Sequence, residues 1–304
     1  MLFEVSGVQV SPLIPFLVAF IASFLSSMGG LSGAFLLLPF QVSVLGFTSP
    51  AVSPTNLVYN IVAIPSGVYR YIKEGRMAWL LAGIIVAGTI PGVFAGAVLR
   101  IKYLPDPKRF KVFVGCVLLY IGFRLVKNII QDKNGQSIKS SNDPLSQSQN
   151  KSIQTITVLL TKSTYRFLDE DYTFHTIGLF ALTFVVGIIG GVYGIGGGAI
   201  IAPFLVTFYR LPVYTIAGAT LLGTFITSIS GVIFYTIIAP YYADTGFAVS
   251  PDWMLGLLLG AGGFVGMYLG ARLQKFMPAK IIKGILAVLI LFISIRYILN
   301  VFDF

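Results

Sequence analysis

From Val5 to Tyr69 the chain contains no Asp, Glu, Lys or Arg. An ordinary soluble domain is about one quarter charged residues, so a run like this constrains the fold before any motif is read. Further uncharged gaps cover Met77–Leu99, Val112–Phe123, Thr176–Tyr209, Leu211–Ala243, Trp253–Ala271 and Gly284–Ile295. A helix needs about 20 apolar residues to cross a bilayer, and these gaps supply several. With 56% hydrophobic and 11% charged residues, the expected class is an all-α polytopic membrane protein in the cytoplasmic membrane. A transmembrane barrel would instead show short alternating segments.

The net charge of +10 does not point to nucleic acid. The Lys and Arg residues cluster beside span ends, where they set topology and meet anionic lipid. Only Glu4 precedes the first apolar run, so that run reads as a permanent span rather than a cleaved leader. A single cysteine, Cys116, excludes an intrachain disulfide and reads as a lipid-facing or packing residue.

Spans are expected near 12–28, 31–46, 52–70, 78–99 and 110–127, then near 176–192, 195–209, 213–238, 253–273 and 280–301. Residues 128–172 form the one hydrophilic stretch. Gln131 to Ser152 reads as a flexible linker. The alternation that follows, through Ile153, Thr155, Thr157, Tyr165, Phe167, Tyr172 and Phe174, reads as a short hairpin or an amphipathic surface segment. The expected organisation is an N-terminal transmembrane repeat (1–127), a cytoplasmic linker (128–172) and a C-terminal transmembrane repeat (173–304).

The halves match in order. A shift of 164 residues takes Gly30 to Gly194, Gly33 to Gly197, Pro39 to Pro203, Phe40 to Phe204, Leu57 to Leu221 and Gly67 to Gly231. A shift of 174 then lays Gly88, Gly92 and Gly96 on Gly262, Gly266 and Gly270. Rows of glycine four apart let helices approach closely, and packing is the preferred reading of them. Duplicated halves with broken helices near the midplane typify secondary transporters. Five crossings per half would invert the second copy and four would not. The basic residues Arg70, Lys73, Arg76, Arg210, Arg272, Lys275, Lys280 and Lys283 favour five, with both termini outside and the linker inside. The basic loop from Arg100 to Lys111 is the exception to that pattern. The short segments 31–46 and 195–209 are open to a re-entrant reading.

The breaks are glycine clusters: Gly29-Gly30 with Ser32-Gly33 in the first half, and Gly190 to Gly198 in the second. Glycine weakens helical order, and backbone groups freed in hydrocarbon must be buried in protein or line a cavity. Beside them lie hydroxyls and amides: Ser26, Ser27, Ser53, Thr55, Asn56, Asn60, Thr220, Thr224, Thr227, Ser228 and Ser230. A single hydroxyl usually bonds its own helix, but here the set recurs in both halves. Asn56 and Asn60 stand one turn apart on one face, costly in lipid unless they meet something polar. No expected span holds a carboxylate, which argues against a carboxylate proton relay, and no His-Glu-x-x-His helix supports a metalloprotease. Half-helix N-termini with hydroxyls and amides suit an anion. The candidate substrate-binding set is Gly29, Gly30, Ser32, Gly33, Thr55, Asn56, Asn60, Gly194, Gly196, Gly197, Gly198, Thr220 and Thr224, with Tyr59 and Tyr193 nearby. No catalytic residue, metal or cofactor is expected. Gly194-Ile195-Gly196-Gly197-Gly198-Ala199 imitates a dinucleotide fingerprint but lacks the strand before it and the acid after it.

The Gly-Gly-x-x-Gly-x-Gly-Gly-Gly-x-x-x-x-Pro run of residues 190–203, its weaker copy ending at Pro39 and the paired halves resemble the sulfite exporter TauE/SafE family of anion permeases. The resemblance spans residues 12 to 300. Ser32 and Ala34 stand where the family commonly has glycine, and Ser53-Pro54-Thr55-Asn56 replaces a small-residue segment. The resemblance implies a permease moving sulfite, thiosulfate, a sulfonate or another organic anion. A passive anion channel through the same path is the alternative. A membrane enzyme is a more distant one, because Cys116 has no histidine near it in sequence.

Overall fold

The computed structural model describes residues 1–28, 32–73, 75, 77–133, 153–157, 159, 161–167, 170–273 and 279–299. The first half contributes α1 (Leu13–Met28), α2 (Ala34–Ser43), α3 (Val52–Ala63), α4 (Pro65–Lys73), α5 (Trp79–Lys102) and α6 (Pro107–Lys133). The second contributes α7 (Thr176–Tyr193), α8 (Gly198–Thr207), α9 (Val213–Ile238), α10 (Trp253–Leu273) and α11 (Ala279–Leu299), with a 3-10 segment at Ala239–Thr245. Among the described residues, four stretches, Trp79–Lys102, Thr176–Tyr193, Thr215–Thr245 and Trp253–Gly270, are long and apolar enough to cross a membrane by themselves. The chain is an all-α polytopic membrane protein.

Two small antiparallel sheets lie near its amino-terminal end and in its middle. β1 (Leu2–Phe3) pairs with β2 (Val8–Gln9). β3 (Gln154–Thr157), β4 (Ser163–Phe167) and β5 (Glu170–Phe174) form a three-stranded sheet in chain order. Its alternation buries Ser163, Tyr165 and Phe167. Arg166 grips Asp171 across the strands at 2.7 Å and holds that carboxyl below its usual range. Burial pushes the Tyr165 phenol up.

Three boundaries differ from expectation. The span expected over 52–70 is broken between α3 and α4, because Pro65 opens α4 and has no N–H to continue the ladder. α6 runs to Lys133, past the expected end at residue 127, since neither Gly nor Pro interrupts the chain between Gly122 and Gly135. The third concerns α2 and α8. Each has 10 residues, a rise of about 15 Å, half of the roughly 30 Å hydrocarbon layer.

Loop contacts sort the helix ends into two faces. On the first face, Ser6 N–H donates to Asp252, Ala51 N–H donates to the Ala248 carbonyl, and Arg100 donates to the carbonyls of Thr48 and Ser49. This gathers the amino-terminal hairpin, the loop from α2 to α3, the end of α5 and the start of α10. On the second face, Ser163 bonds Thr176 and Tyr165 bonds Thr215, so the larger sheet sits on the starts of α7 and α9. α1 therefore enters from the first face and α2 returns toward it. α7 enters from the second face and α8 returns toward that one. Among the described residues there are eight long helical segments, with α3 and α4 taken as one, and two short helices, α2 and α8, each ending on the face from which the helix before it starts.

The glycine rows decide how the halves join. A Cβ at Gly88, Gly92 or Gly96 on α5 would meet the carbonyl oxygens of Phe180, Phe184 and Ile188 on α7. A Cβ at Gly262, Gly266 or Gly270 on α10 would meet those of Phe16, Phe20 and Phe24 on α1. The two sets are the same contact under the sequence shifts of 174 and 164. Helix packing follows the same exchange. α1 lies on α10 as α7 lies on α5, α3 lies on α10 as α9 lies on α5, and α6 pairs with α11. Each row of small residues thus brings one half's backbone against the other half's.

Candidate functional site

The two glycine breaks end at equivalent places. Gly33 is the N-cap of α2 and Gly197 the N-cap of α8, and neither start has a side-chain cap. Both caps are buried. The first N–H groups of a helix have no partner of their own, so two buried half-helices open with donors that local caps do not fill. Two side chains do reach the α2 start: the Ala34 N–H lies 3.4 Å from Ser32 Oγ, and the Tyr59 hydroxyl accepts from the Gly33 backbone.

At the α7–α8 break, Gly194 closes α7 with φ +81° and its N–H donates to the Gly190 carbonyl at 2.8 Å. Gly196 also has positive φ, +68°. Such angles favour glycine, and a side chain at Gly194 would also strike the Ser53 backbone. Gly197 lies against Thr89, and Gly198 against the Thr220 carbonyl and Thr224. The tip of α7 is tied down on three sides. Ser53 Oγ donates to the Val192 carbonyl at 2.7 Å, Tyr235 Oη donates to the Gly191 carbonyl at 3.1 Å, and Tyr193 Oη donates to the Phe35 carbonyl at 2.9 Å. The last bond joins the second break to the first turn of α2.

At the α2 start, an amide network runs between α2 and α3. Gln41 Nε2 donates to Asn56 Oδ1 at 3.2 Å, and Asn56 Nδ2 donates to the Ala34 carbonyl at 3.0 Å. Ser32 Oγ donates to Asn60 Oδ1 at 3.2 Å. Tyr59 Oη shares a 2.7 Å hydrogen bond with Ser23, and both crowd Gly33. All of these polar side chains are buried.

Of the candidate set, Ser32, Gly33, Asn56 and Asn60 meet at the α2 start, and Gly196, Gly197, Gly198, Thr220 and Thr224 meet at the α8 start. Gly194 closes the tip of α7. Gly29 and Gly30 lie outside the described residues. Thr55 stands apart. Its Oγ1 donates to the Ala51 carbonyl at 2.7 Å and accepts from the Asp252 N–H at 2.8 Å, which ties α3 to the start of α10. Thr220 and Thr224 donate to their own helix, to the carbonyls of Ala217 and Thr220.

Among the described residues, few buried polar atoms lack a partner: Asn60 Nδ2, Ser228 Oγ, Gln41 Oε1, Ser49 Oγ and Arg100 Nε. Asn60 Nδ2 belongs to the α2 start. Ser228 Oγ lies 3.2 Å from where a Cβ of Gly196 would stand, at the α8 start. Sequence reasoning missed Gln41, because a lone glutamine in an apolar run carries no periodic signal. Thr89, whose hydroxyl bonds its own helix at Ile85, and Tyr235 reach the α7–α8 break only through contacts with Gly197 and Gly191 that are distant in sequence.

A family model described as "Sulfite exporter TauE/SafE" matches residues 15–297. "Probable membrane transporter protein YunE" of Bacillus subtilis (strain 168) is 25% identical over 291 residues, covering 91% of this chain and 94% of that protein. "Probable membrane transporter protein YdhB" of the same organism is 29% identical over 119 residues, 39% of this chain and 44% of that protein. No solved structure matches at a significant level. These relatives are named as membrane transporters and not as enzymes. With uncapped half-helices inside a polytopic bundle and a family match running nearly end to end, the chain belongs to the sulfite exporter TauE/SafE family of membrane transporters.

Proposed function

We propose that this transporter is a permease for a small sulfur-containing or organic oxyanion, such as sulfite, thiosulfate or a sulfonate. The observation that carries the reading is the pair of buried, uncapped half-helix starts, each with a free polar atom beside it: Asn60 Nδ2 at α2 and Ser228 Oγ at α8. Backbone N–H groups and the positive end of a helix dipole favour an anion. No lysine or arginine enters the uncharged runs to hold it, so dipoles and neutral donors would bind it weakly enough for release.

The exchange of contacts between α1–α10 and α7–α5 supports two inverted repeats, 1–127 and 173–304, that alternate access around the breaks. Residues 128–172, with the sheet β3–β5, would lie on the cytoplasmic side. The test is flux in proteoliposomes holding the full chain. Saturable uptake of sulfite, thiosulfate or sulfoacetate with counter-transport is expected. Retention of none of the three above the rate of empty vesicles would sink the substrate class.

A further inference from the structure

Arg100 ends α5 with its side chain fully buried, 0% exposed. Nη1 donates to the Leu104 carbonyl, and Nη2 donates to the carbonyls of Thr48 and Ser49, each at 3.3 Å. The guanidinium lies over the Phe110 ring, 3.7 Å from its centroid. Nε has no partner. Every acceptor it has found is a neutral carbonyl, and no carboxylate among the described residues pairs with it. A guanidinium keeps its charge in proteins, and a buried charge is costly unless a counter-charge or full hydrogen bonding meets it. Three carbonyls and a ring face spread the charge without cancelling it.

Beside it is a second unfilled donor. Ser49 Oγ is buried without a partner, although the carbonyl of the same residue already receives Nη2. One uncancelled positive charge with two free donors on adjoining groups is the chemistry of a small anion. A cation is repelled, and a water molecule leaves the charge unmatched. The end of α5 and the start of α6 also present exposed Lys102, Lys108 and Arg109, which raise the local concentration of anions.

We propose that Arg100 and Ser49 hold a small monovalent anion at the first face, at a site distinct from the half-helix starts. Neighbouring side chains tie this corner to the α7 tip. Ser53, four residues after Ser49, bonds the Val192 carbonyl, and Tyr235, within electrostatic reach of Arg100, bonds the Gly191 carbonyl.

Bromide is the probe, applied to the purified full-length protein in detergent, with gluconate holding ionic strength constant. Thermal unfolding should shift upward with bromide in a saturable way. S49A removes only a hydroxyl that bonds nothing, so its fold is retained, and about tenfold more bromide should be needed for the same shift. R100K keeps the charge but loses Nε and the fork, and its response should weaken further. Crystals grown with bromide should give an anomalous peak within hydrogen-bond reach of Arg100 Nε and Ser49 Oγ. Identical bromide dependence in wild type and S49A overturns the proposal. So does an anomalous peak confined to the half-helix starts, with none at Arg100.

Discussion

Asn60 and Thr55 lie on one helix, both buried, yet their chemistry differs. Asn60 uses Oδ1 to accept from Ser32 and leaves Nδ2 free. Asn60→Asp keeps the acceptor and replaces the free donor with a negative oxygen. Flux of the transported oxyanion should fall at least tenfold, about 1.4 kcal/mol, and the melting temperature should fall too, because a buried carboxylate without a counter-charge is costly. Wild-type flux in that variant removes Asn60 from the site. Thr55, by contrast, is occupied on both sides. Thr55→Val leaves the Asp252 N–H buried without an acceptor and should cost about 1–3 kcal/mol of stability. The substrate concentration giving half-maximal flux should stay put. A changed half-saturation with unchanged melting would return Thr55 to the substrate site.

At the scale of the element, the rows on α5 and α10 make a sharp distinction. Gly92→Ala would drive a methyl into the Phe184 carbonyl and Gly266→Ala into that of Phe20. Backbone cannot swing aside as a side chain can, so each should cost about 1–3 kcal/mol, read as a lower melting temperature in detergent. Gly83→Ala on the same α5 meets nothing within 4 Å and should be neutral or slightly stabilising, since alanine favours helix. Equal effects at Gly83 and Gly92 would mean that helix contact is not what the row serves. The spacing of these rows is plain in the sequence. Which helix each row faces is not, because the partners lie in the opposite half of the chain.

For the whole molecule, the two faces make the orientation testable. In a Cys116→Ser background, Lys108→Cys lies in the first turn of α6 at the first face and Thr161→Cys beside the sheet of the second face, both exposed. A membrane-impermeant maleimide added to intact cells should label Lys108→Cys at once and Thr161→Cys only after permeabilisation. The reverse order would place the linker outside. Labelling of both from the same side would break the inverted arrangement. The basic loop that sat badly with the inner-side pattern is partly accounted for, since Arg100 is buried in the fold rather than facing the membrane surface.

The sequence by itself determined the solvent of the fold, the helical class and the positions of both breaks. Charge-free runs and glycine clusters are local signals, and a bilayer allows few answers to them. The shifts of 164 and 174 that motivate the proposed repeat can also be read from residue names alone. Only the tertiary structure decided that α2 and α8 turn back, that Pro65 splits one span, and which polar atoms remain free. A hydroxyl or amide looks alike in sequence whether it bonds its own helix, as Thr224 does, or nothing, as Ser228 does. The difference depends on which distant backbone arrives beside it, and packing between the halves settles that.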